Sequence, residues 1–148
     1  MGYVGYTHYW YTKRSADPMK IGRAVVEMAA VVKANEGILA GWNGDGKPEI
    51  AEGLISFNSV GEEAHESFVF PPDLEEQAFN RDKSEVFEFC KTAHKTYDPV
   101  VVACLAIAKD ILGDEIKVSS DGDRKDWNEG VALACKVTGR EIANPIVE

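Results

Sequence analysis

The chain lacks any long apolar run: none of its 148 residues belongs to a stretch of the roughly 18 apolar residues that span a bilayer, so no membrane partner is expected. The start, Met1 to His8, has no basic region leading into an apolar segment, so no signal peptide is expected either. Cysteine is scarce. Cys90, Cys104 and Cys135 are odd in number and sit in apolar contexts without CxxC spacing, which excludes a disulfide framework or a zinc knuckle and points to a reducing cytoplasm. Basic charge is in deficit, with 16 Lys and Arg against 25 Asp and Glu. The net charge of -9 argues against direct nucleic-acid binding, which needs a basic face, and suits either solubility or imitation of a polyanion. No GxSxG, HExxH, P-loop or GxGxxG occurs, so no recognised enzyme signature is present and no cofactor is expected.

The length and the 45% apolar content fit one domain over residues 1–148. Tyr3 to Tyr11 alternates, with Tyr6, His8 and Trp10 on one strand face and Thr7, Tyr9 and Tyr11 on the other. Asp17-Pro18 signals a helix start, and Ile21, Val25, Met28 and Val32 recur at helical spacing up to Asn35. Ile38 to Trp42 and Glu49 to Asn58 read as strands joined through Asn43-Gly44-Asp45-Gly46, and His65 to Phe70 as another, stopped by Pro71-Pro72. Asp73 to Ser84 is an acidic surface excursion.

Val86, Glu88 and Cys90 alternate with Phe87 and Phe89 in a strand that feeds the polar stretch Lys91 to Asp98. Asp98-Pro99 repeats the pattern of an N-cap acid and a first-turn proline. Val100 to Ala108 has no polar residue except Cys104, which predicts a helix apolar all round and therefore buried. Ile116 to Ser120 is a short strand, and Asp123 or Asp126 caps a last helix that stops at Gly139. The tail from Arg140 is expected to be loosely held. These elements predict an α+β fold: an antiparallel sheet of five to six strands with about three helices mainly on one face, one of them central and buried.

Several side chains suggest chemistry. Lys91, Thr92 and Lys95, with Tyr97 beside them, place two ammonium groups and a hydroxyl next to a helix start, a setting suited to anions. Against that, Asp98 as N-cap would occupy the same donors and leave the lysines a solvated turn. His8 and His65 read either as structural cross-strand histidines or, if they share one mouth, as a general acid and base. Ser119, Ser120 and Arg124 around the Asp121-Gly122 turn could cradle a phosphate, although a turn with capping residues accounts for the same acids. Their spacing does not make a calcium loop, and no metal is expected. Cys90, between Phe87 and Phe89, reads as a buried structural thiol.

Four motifs in fixed order, Thr7-His8-Tyr9-Trp10, Phe57-Asn58 with Gly61 and His65-Glu66-Ser67-Phe68, Phe89-Cys90-Lys91-Thr92-Ala93 with Lys95 and Tyr97-Asp98, and Val118-Ser119-Ser120-Asp121-Gly122 with Asp126-Trp127, cover nearly the whole chain. In these the chain resembles a family of small proteins encoded by tailed bacteriophages. The resemblance implies a viral origin and expression in the cytoplasm of a bacterial host, and it carries no activity with it. One position departs: the family usually has proline where this chain has Thr96.

Three functions follow as expectations. The first is an accessory protein that binds a small phosphate-containing, nucleotide-like ligand through Tyr6, His8, Trp10, His65, Lys91, Thr92, Lys95, Tyr97, Ser119, Ser120 and Arg124, with Tyr9 as a further stacking ring, and that sequesters a host immune signal. The second is a phosphodiesterase or other hydrolase built on His8 and His65. The third is an acidic inhibitor of a host protein that imitates DNA. Self-association into a homo-oligomer is expected in each case, because an antiparallel sheet leaves edges to cover.

Overall fold

The computed structural model describes residues 5–75 and 84–147. Tyr3 and Val4, and most of the acidic stretch 73–84, fall outside or partly outside that range. The fold is α+β: the described residues form seven strands in two antiparallel sheets and three α-helices. The first sheet has β1 (Thr7–Lys13) at its centre, flanked by β6 (Glu85–Lys91) and β7 (Ile116–Ser120). The register sets His8 opposite both Cys90 and Ser120, and Tyr9 opposite both Phe89 and Ser119. The second sheet is built on β4 (Leu54–Ser59), which pairs with β2 (Leu39–Ala40), β3 (Glu49–Ala51) and β5 (Phe68–Phe70).

The helices begin and end where the local chemistry directs. In α1 (Pro18–Ala34) Asp17 accepts from the Met19 backbone N–H as N-cap, with Pro18 in the first turn. In α3 (Arg124–Thr138) Asp123 and Asp126 form a reciprocal capping box, and Gly139 closes the helix at φ 76°. The central helix α2 (Asp98–Leu112) packs against α1, α3 and β7. Val100 to Ala108 are each no more than 1% exposed. At ~1.5–3 kcal/mol for each large apolar side chain buried, this helix is the largest single contributor to the core. Gly130 has no room for a Cβ, because it lies against Val102 and the Pro99 carbonyl where α3 crosses α2.

Four expectations need correction. The strand sought over His65 to Phe70 is confined to β5, because Asn58 holds His65 in a loop by donating to its carbonyl and accepting from its N–H at 3.0 Å each. The tight connection between strands lies at Glu52-Gly53, between β3 and β4, rather than at Asn43 to Gly46. Asp98 does not cap α2: Tyr97 occupies the N-cap position without a side-chain hydrogen bond, and the Asp98 carboxylate points inward. The tail is tied down, with Ile142 and Ile146 buried and Arg140 donating two hydrogen bonds to Glu27 at 2.7 and 2.8 Å and two to Asp110 at 3.0 and 2.9 Å. Among the described residues no helix is long and apolar enough to cross a membrane.

Candidate functional site

The segments that carry the four motifs meet at one end of the first sheet. Residues 5–8 are tied to the 120–122 turn by Asp121, whose backbone N–H donates to the Thr7 carbonyl at 3.0 Å and whose carboxylate accepts from the Thr7 N–H at 3.1 Å. They are tied to the 91–98 turn by the Ala93 N–H, which donates to the Tyr6 carbonyl at 3.2 Å. Glu66 joins them: its carboxylate accepts from the Lys91 N–H at 2.7 Å, and its carbonyl accepts from the Tyr97 hydroxyl at 2.5 Å and the Cys90 thiol at 3.4 Å. Strand pairing therefore gathers side chains more than a hundred residues apart.

Strand alternation then divides these residues between two faces. On the inner face His8, 0% exposed, bridges the cluster. Its Nδ1 lies 2.8 Å from Ser120 Oγ, and its Nε2 lies 2.6 Å from Asp98 Oδ1, which also accepts from the Thr92 hydroxyl at 2.5 Å. Ser120 Oγ also accepts from the Gly122 N–H at 2.9 Å. The His8 ring packs edge-on against Tyr6 and Trp127, with centroids 5.1 Å away in both cases. The Tyr6 ring stacks on His94 at 3.4 Å, and both Ala93 and His94 hold a left-handed backbone, at φ 52° and 58°. That conformation is uncommon for residues other than glycine and persists here because the Tyr6 carbonyl and ring hold the turn on both sides.

The Tyr6 hydroxyl is buried near Ser120 and Gly122 yet makes no well-formed hydrogen bond among the described residues. Burial pushes its pKa up, and the Asp98 and Asp126 carboxylates push it further. Burial likewise raises the Cys90 thiol and the Tyr97 hydroxyl above their ordinary ranges. Both groups are therefore uncharged at neutral pH.

The outer face is open and carries rings. Tyr9, Tyr11, Phe87 and Phe89 form a ladder: Tyr9 and Phe87 at 6.2 Å and 17°, Tyr11 and Phe87 at 4.8 Å, Phe87 and Phe89 at 5.9 Å and 28°. Tyr11, Phe87 and Phe89 are 41%, 42% and 49% exposed. The register sets Lys91 at the Thr7 end of this face, Ser119 across from Tyr9, and Lys117 across from Tyr11. The Lys117 ammonium is exposed and lies 3.2 Å from Glu85.

The eleven candidates from the sequence are therefore dispersed. Tyr6, His8, Thr92 and Ser120 belong to the inner cluster. Trp10 and Tyr97 are fully buried, Trp10 against Phe68, and neither meets solvent. Lys91 and Ser119 lie on the outer face, while Lys95 reaches the Glu62 carbonyl at 3.4 Å. Arg124 holds the tail, with its guanidinium 2.7 Å from the Ile146 carbonyl. His65 is exposed in its loop, and no hydrogen bond or ring contact joins it to His8 among the described residues. The anion site sought at the start of α2 is not assembled, since Thr92 is turned inward to Asp98. Sequence reasoning missed His94 as a ring partner and missed Phe87 and Phe89 as an exposed pair. Two phenylalanines alternating with Val86 and Cys90 were the available signal that one face of β6 is apolar outward as well as inward. Comparison with family models, curated proteins and solved structures finds no match to this chain.

Proposed function

We propose that the chain binds a small, ring-bearing, phosphate-containing ligand of nucleotide type on the outer face of the β6-β1-β7 sheet. The observation that carries this reading is the ladder of half-buried Tyr9 and exposed Tyr11, Phe87 and Phe89, with Lys91 at one end and Lys117 alongside. Rings set in a sheet are pre-organised, and stacking a base on such a surface is worth ~1–3 kcal/mol. The ammonium groups supply charge-assisted hydrogen bonds to phosphate. Within a phage-infected bacterium such a protein would act by withholding a nucleotide-derived host signal; this step rests on the resemblance and not on residue chemistry.

The test is calorimetric titration with mononucleotides, cyclic dinucleotides and inorganic pyrophosphate, together with mass spectrometry of whatever co-purifies. Binding of a nucleotide but not of pyrophosphate is expected. A Phe87→Ala/Phe89→Ala double variant should bind at least ~10-fold more weakly, and Lys91→Ala should lose affinity without losing thermal stability. Unchanged affinity in the double variant would overturn the reading, as would a sedimenting dimer whose contact covers these rings.

A further inference from the structure

The inner face carries a different arrangement. Hydrogen-bond inventory assigns the proton positions along Ser120, His8 and Asp98. Asp98 accepts from the Thr92 hydroxyl and lies in the first turn of α2, where the helix dipole favours a carboxylate, so His8 Nε2 donates to it. His8 Nδ1 is then a lone-pair acceptor. Ser120 Oγ already accepts from the Gly122 N–H, and its own hydrogen goes to Nδ1 at 2.8 Å. A serine hydroxyl, an oriented imidazole base and a buried carboxylate in that order are the parts of an activated nucleophile, recognised by geometry and not by sequence position.

Two further features point the same way. Ser120 lines a cavity of about 410 Å³ at the open edge of β7, with Gly122, Val118, Pro145, Ile146 and Val147 among its walls. The Tyr6 hydroxyl, buried beside Ser120 with no well-formed hydrogen bond among the described residues, lies so close to Gly122 that a Cβ there would overlap it. An O–H donor therefore waits beside the turn that carries Ser120 Oγ. The residues lining it include Asp123 and no lysine or arginine, which disfavours anionic substrates. Neutral esters with short apolar acyl groups fit.

We propose that Ser120, His8 and Asp98, with Tyr6 as oxyanion donor, form an esterase site for small neutral carboxylic esters. Ser120 Oγ bonds to the ester carbonyl carbon as its proton passes to His8 Nδ1. The carbonyl oxygen takes up the electron pair and receives the Tyr6 hydrogen bond. Collapse restores the carbonyl and breaks the bond to the leaving alkoxide, which takes the proton back from Nδ1. Water then repeats the sequence on the acyl-serine, releasing the acid and regenerating Ser120.

The experiment uses the full chain. A fluorophosphonate is expected to modify Ser120 on the folded wild-type protein, mapped by peptide mass spectrometry, and to leave it unmodified in urea. p-Nitrophenyl butyrate is expected to turn over, and Ser120→Ala should abolish both reactions. Tyr6→Phe is the decisive variant: the Tyr6 hydroxyl makes no well-formed hydrogen bond among the described residues, so thermal stability should stay close to wild type while acylation falls about 10²-fold. Absence of a Ser120 adduct on the folded protein, or an undiminished acylation rate in Tyr6→Phe, overturns the proposal.

Discussion

The two faces of β1 differ in kind. Inward, Ser120, His8 and Thr92 form a closed set of short hydrogen bonds around Asp98, with the Tyr6 ring edge-on to His8 and stacked on His94. Outward, Tyr11, Phe87 and Phe89 touch mainly one another and solvent, and Tyr9 joins them while its hydroxyl donates to the Asp121 carboxylate at 3.1 Å. A buried polar cluster is costly to disturb because each group removed strands another, whereas an exposed ring can be deleted with little consequence for the fold. The inner face therefore fixes the architecture, and the outer face is where binding can vary without endangering it.

The contrast can be broken most forcefully at Asp98. Asp98→Ala leaves His8 and Thr92 without their shared acceptor and should cost about 3–5 kcal/mol, read from urea unfolding. A loss below about 1 kcal/mol would mean the inner face is as tolerant as the outer. Gly122→Ala comes next: its Cβ meets the Tyr6 hydroxyl, and relieving that overlap should cost about 1–3 kcal/mol by the same measurement. Phe89→Ala, on the outer face, should change stability by less than about 1 kcal/mol while still weakening ligand binding.

The smallest effect is at the N-terminus of α3. The Asp126 backbone N–H holds the Asp123 carboxyl below its ordinary range, so Asp123 contributes stability above its unfolded pKa, and that contribution is lost as pH falls through the lower folded value. The melting-temperature difference between wild type and Asp123→Asn should therefore be widest near neutrality and close below about pH 4, the unfolded range of a carboxyl.

How much of this was legible depends on range. The division of Tyr6, His8 and Trp10 from Thr7, Tyr9 and Tyr11 follows from alternation alone and stands as read. The helix limits at Asp17-Pro18 and Gly139, and the buried character of Val100 to Ala108, follow from local spacing and capping. Asp98 was read as a cap because an acid before proline has that local use. Its actual partners, six and ninety residues away, are set by which strands lie beside β1, and no local pattern determines strand order. The same missing order hid the pairing of His8 with Ser120 rather than His65. Arg140 looked like the start of a loose tail because its partners Glu27 and Asp110 sit on two different helices.

Glu66 has one more consequence. A sheet edge offers unpaired backbone donors and acceptors that invite further chains to add on, a route to runaway aggregation. At the Lys91 end of β6 that invitation is withdrawn. The Lys91 N–H is taken by the Glu66 carboxylate, and the Lys91 carbonyl faces the Glu66 N–H at 3.3 Å. A single residue from a neighbouring loop thus acts as a plug where another strand would begin.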